Sequence, residues 1–66
     1  MDYGRVVKVI TGDDMAFYIV AEKDGGKAAA ILAAHVEFGS QIEPLGRASR
    51  ELLGALGLSR GEFRNA

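Results

Sequence analysis

An α+β fold is predicted, with an N-terminal antiparallel β-hairpin followed by two to three helices in the order ββα(α)α. Three observations predict it. Two segments rich in β-branched and aromatic residues flank a glycine-containing turn near the N-terminus. Apolar residues then recur at helical spacing over residues 25–38 and 44–56. The chain has 66 residues, which is room for a single domain, taken here as 1–66.

The first strand is read at Tyr3–Thr11 (YGRVVKVIT) and the second over 15–22 (MAFYIVAE), with Gly12, Asp13 and Asp14 between them. That short polar spacer favours a hairpin. In the second strand Met15, Phe17, Ile19 and Ala21 share one face, and Ala16, Tyr18 and Val20 share the other. Both faces are apolar, so both need cover. Helices are expected on one face and a second copy or another protein on the other.

Lys23, Asp24, Gly25 and Gly26 end the strand, and Asp24 is a candidate N-cap. Ala28, Ile31, Leu32, His35 and Val36 then line one helix face. Gly39 suits a left-handed stop. The expected helix is 25–38. A rival reading ends it near Ala34 and makes 35–38 a short third strand.

Pro44 suits a first helical position. Leu45, Ser49, Leu52 and Leu56 follow at helical spacing, with Gly57 as the C-cap. Gly46 and Gly54 weaken such a helix by roughly 1 kcal/mol each relative to alanine. Gly54 leaves room for another backbone. Ser59 and Glu62 form an S-x-x-E capping box, which predicts a last short helix from Arg60 that turns Phe63 back towards Leu56 or Leu58.

Composition narrows the function. There is no cysteine, so disulfides and thiolate metal sites are out, and the single histidine cannot build a zinc site. A domain this small usually needs excellent packing or a partner subunit. Hydrophobic content is 48%, so a homodimer is expected, with part of the apolar surface at an interface. The net charge is −1. It is uneven. Residues 1–43 carry four lysines and arginines against seven carboxylates, and residues 44–66 carry four arginines against two glutamates. No apolar stretch is long enough to span a membrane and no signal peptide is evident, so a cytoplasmic protein is expected.

Chemistry-bearing motifs are sparse. His35 has no thiol, second histidine or paired carboxylate placed beside it by spacing, and reads as packing beside Leu32. Asp24-Gly25-Gly26-Lys27 lacks P-loop spacing, with Ala28 at the hydroxyl position. Asp13 and Asp14 are too few oxygens for calcium. Ser40, Ser49 and Ser59 have no base placed by motif. No enzymatic activity, cofactor or metal is expected.

Residues 50–64 are the most distinctive segment. Arg50, Leu52, Gly57, Leu58, Ser59 and Arg60 sit in a pattern that resembles the C-terminal motif of short arginine-rich bacterial proteins of unknown function, roughly R-x-L-x-D-I-G-L-S-R-x-D-I. The chain departs from it at Ala55-Leu56 and at Glu62-Phe63. The resemblance covers only this tail, and it implies at most contact with RNA. The same residues also fit the core of a helix-turn-helix, with Arg47, Arg50, Arg60 and Arg64 as candidate nucleic-acid contacts. The structural alternative is simpler: the motif ends one helix and caps the next.

The expected function is a small, non-enzymatic protein-interaction module: an adaptor, regulator or inhibitor of a larger protein or complex. Phage-encoded inhibitors of host defence complexes have this size and character, as do many other small accessory proteins. Phe17, Tyr18 and Val20 are the candidate partner contacts, and either strand of the hairpin is a candidate edge for pairing. The alternative is a nucleic-acid-binding regulator using the arginine tail.

Overall fold

The computed structural model describes residues 3–66. The two β-rich segments form β1 (Tyr3–Thr11) and β2 (Asp14–Val20), antiparallel, with Arg5 opposite Val20 and Thr11 opposite Asp14. Gly12 closes the turn at φ 60°, a left-handed conformation that glycine adopts without a Cβ clash.

Asp24 caps α1 (Gly25–Ala33): its Oδ1 accepts from the Lys27 N–H at 3.0 Å. The helix ends five residues before the expected limit of 38, with Ala34 as its C-cap. Residues 34–36 fold back on it instead, as the His35 and Val36 N–H groups both donate to the Leu32 carbonyl. Residues 35–38 are therefore neither helix nor strand. Gly39 does take a positive φ, but in the loop beyond.

The third strand lies where a helix was expected. β3 (Gln41–Ser49) pairs antiparallel with β1, with Ile42 opposite Val9 and Ala48 opposite Gly4. Pro44 is tolerated because β3 is an edge strand, where the missing N–H has no partner to lose. The register slips between Arg5 and Val7 of β1, a bulge that takes up Leu45 and Gly46. The second helix, α2 (Arg50–Leu56), is correspondingly shorter than the expected 44–56. Ser49 is its N-cap, accepting from the Leu52 N–H, and Gly57 is its C-cap at φ 70°.

The last short helix does not form. Glu62 Oε1 accepts from the Ser59 N–H and the Glu62 N–H donates to the Ser59 carbonyl, so the S-x-x-E box closes as a turn. The chain then continues as β4 (Phe63–Asn65) along β2, with Phe63 opposite Val20. Gly61 at φ 84° permits this reversal, and its N–H donates to the Ala21 carbonyl.

The result is one antiparallel sheet in the order β3-β1-β2-β4, with the elements running β-β-α-β-α-β. The α+β class is as predicted, although strands and helices interleave. Helices cover both faces, not one. Ala28 and Leu32 of α1 pack on Val7, Val9 and Val20. Leu53 of α2 packs on Ile19, Ala21 and Ala48 from the other side. No helix among the described residues is long and apolar enough to cross a membrane.

Candidate interaction surfaces

Strand alternation places Lys8 and Ile10 of β1, and Met15 and Phe17 of β2, on the face that α2 covers. A seven-residue helix is only about 10 Å long. It reaches Val6, Ile19, Ala21 and Ala48 and leaves the hairpin-turn end of this face bare. Met15 is 59% exposed and Phe17 38%. Lys8 and Glu43 form a loose ion pair at 3.9 Å on the β3 side of this bare region.

The sheet edge is open at the same place. β4 pairs with Tyr18, Ile19 and Val20, and the Ala66 N–H reaches the Phe17 carbonyl. Beyond that point, among the described residues, the outer side of β2 has no neighbouring strand. Backbone direction alternates along a strand, so the N–H and C=O of Met15 face outward as the Phe17 carbonyl does. β1 is the opposite case: flanked by β2 and β3, it offers no edge for a partner strand.

The candidate partner contacts therefore separate. Phe17 lies on the bare surface. Val20 is fully buried under α1 and cannot be a contact. Tyr18 is half-buried on the α1 face, where its ring stacks on Phe63. His35 also packs against Phe63, with ring centroids 4.9 Å apart and planes tilted by 53°. Next to Tyr18 an open groove runs between the hairpin turn and the loop after α1, with Asp14, His35 and Glu37 at its rim. Among the described residues no three histidine or acidic side chains are placed to hold a metal.

The four arginines are not gathered on one surface. Arg47 lies on β3 opposite Arg5, on the α1 face, while Arg64 lies on β4 opposite Ile19, on the α2 face. These strands are the two edges of the sheet, about 14 Å apart at the usual strand spacing. Arg50 opens α2 and Arg60 sits in the turn before β4, so no second helix follows Gly57 to present Arg60 and Arg64 to a groove of DNA.

Arg47 does have a companion that sequence reasoning missed. Its guanidinium lies over the Tyr3 ring, 4.6 Å from the centroid, and the Arg5 guanidinium lies 5.5 Å from the same centroid. Arg5 also donates from Nε to the Lys23 carbonyl at 2.7 Å. Nothing in the local sequence signals this cluster, because it depends on the pairing of β1 with β3. The sequence pattern puts Met15 on one apolar face with Phe17, Ile19 and Ala21 but does not single it out as a contact, because its exposure follows from the shortness of α2.

The chain matches no protein-family model, no curated protein and no solved structure.

Proposed function

We propose that this chain is a small protein-interaction module, acting as an adaptor, regulator or inhibitor of a larger protein, and that the partner contributes an extended segment to the open edge of β2. The observation that carries the reading is a coincidence of position. The stretch of β2 without a neighbouring strand is also the stretch that exposes Met15 and Phe17. An added strand would satisfy the outward backbone groups of Met15, and its alternate apolar side chains would cover Met15 and Phe17. Main-chain pairing supplies affinity in this mode and the side-chain contacts supply selectivity. A second copy of the chain is the other occupant of suitable geometry, as two such edges can pair antiparallel about a two-fold axis.

Two variants separate edge pairing from the side-chain contact. Met15→Pro removes an outward N–H from an edge position, where proline is tolerated. Phe17→Asp charges the apolar contact. Both are expected to fold and to lose the partner, while amide exchange at residues 15–17 slows in the wild-type complex. Sedimentation of the purified chain distinguishes a second copy from a foreign partner. A complex that forms equally with both variants rules the proposed surface out.

A further inference from the structure

Arg5 and Arg47 are directly opposed across β1 and β3. Like charges in that relationship destabilise a sheet. Among the described residues neither guanidinium is in an ion pair. Arg5 spends one donor on the Lys23 carbonyl, and Arg47 has no hydrogen-bond partner among the described residues. Among the described residues, the nearby carboxylates of Asp24 and Glu22 each accept a backbone N–H, from Lys27 and Asp24, and Asp24 acts on Arg5 through its charge without pairing with it. The Tyr3 ring gathers the two cations, each lying over it within 5.5 Å of the centroid. Stacking on an aromatic ring restrains a guanidinium plane and leaves its N–H edge free to bond.

We propose that Tyr3, Arg5 and Arg47 form a phosphate-binding site on the α1 face. Guanidinium forks match phosphate oxygens in geometry and charge, and two of them converging on one anion give paired charge-assisted hydrogen bonds. A bound phosphate also removes the repulsion between the two strands. The site lies on the opposite face from Met15 and Phe17 and is independent of the protein-binding surface. Its ligand is a phosphate group, free or as the diester of a single-stranded nucleic acid. Of the arginines in the C-terminal third, it uses only Arg47.

The test is an NMR titration of the full chain at constant ionic strength. One arm adds inorganic phosphate with chloride as the control, and the other adds a short single-stranded oligonucleotide. Signals of Tyr3 and the side-chain Nε–Hε groups of Arg5 and Arg47 are expected to shift and saturate. Arg47→Gln should weaken binding roughly tenfold. Arg47→Lys, which keeps the charge but loses the fork, should recover only part of it. Arg64→Gln should bind as wild type. Saturation by phosphate alone identifies a free anion as the ligand, and much tighter saturation by the oligonucleotide identifies a phosphodiester. Failure of both ligands to move these signals overturns the site, as does an equal loss in Arg64→Gln and Arg47→Gln.

Discussion

The rings of Tyr18 and Phe63 stack with centroids 5.8 Å apart and planes 1° from parallel. Tyr18 belongs to the N-terminal hairpin and Phe63 to the three-residue strand near the end of the chain. The stack adds a side-chain contact to a short strand that backbone hydrogen bonds also hold on either side, from Ala21 to Glu62 and from Ala66 to Phe17.

Phe63→Ala is expected to destabilise the protein by about 2–3 kcal/mol, less than for a fully buried phenylalanine because Phe63 is only partly covered. Phe63→Leu should recover part of this. Urea denaturation measures the loss. Amide exchange at Ala21, which donates to Glu62, should accelerate more than exchange at Val7.

Gly4 lies where β1 passes under α2. A Cβ at this position would overlap the Val20 carbonyl oxygen and come within 3.1 Å of Leu53 Cδ2. Because the first of these atoms is backbone, Gly4→Ala should cost on the order of 2 kcal/mol or more in a urea melt. Gly54→Ala is the contrasting case. Nothing lies within 4 Å of its added Cβ, so no neighbouring backbone approaches there. Alanine should stabilise α2 by up to about 1 kcal/mol.

Asp24 titrates below the usual carboxylate value of 3.8, chiefly because its charged form accepts the Lys27 N–H. Desolvation opposes the shift; the Gly26 N–H and the charges of Lys27 and Arg5 add to it. A depressed carboxylate contributes stability that is present above the ordinary value and lost as pH falls through the folded one. Thermal melts from pH 6 downward should therefore show wild type and Asp24→Ala converging below about pH 3.8. A gap that persists at lower pH assigns the effect to something other than the carboxylate.

Phe17→Asp and Ile19→Asp alter the same face of the same strand, two residues apart. Phe17 is outside the reach of α2, and its change should cost clearly less than the change at Ile19 and leave unfolding cooperative. Ile19 packs on Leu53, and a charge there should abolish cooperative unfolding. Circular dichroism melts of the two variants decide where the α2 core ends.

The features legible in the sequence are those set locally. The hairpin follows from β-branched runs around Gly12, and the caps at Asp24 and Gly57 follow from side-chain chemistry within one turn. What sequence reasoning missed depends on distant pairing. Residues 41–49 contain proline, glycine and few β-branched side chains, and Leu45 meets Leu52 and Leu56 at helical spacing. Pairing with β1 overrides that propensity. The Ser59–Glu62 box forms its local contact, but bonds between Ala21 and residues 61–62 draw the chain into the sheet. Phe17 was identified as a candidate contact from its face. Val20 was misassigned because the same alternation cannot say which face α1 occupies.

Val6 and Val7 are neighbours in the chain, yet Val7 packs with Leu32 and Val6 with Leu53. The two cores share no residue. Substitutions in one should therefore be nearly additive with substitutions in the other, apart from effects carried by the sheet backbone. A volume change on one side can then be compensated by repacking on that side alone, although both cores are needed for the chain to fold.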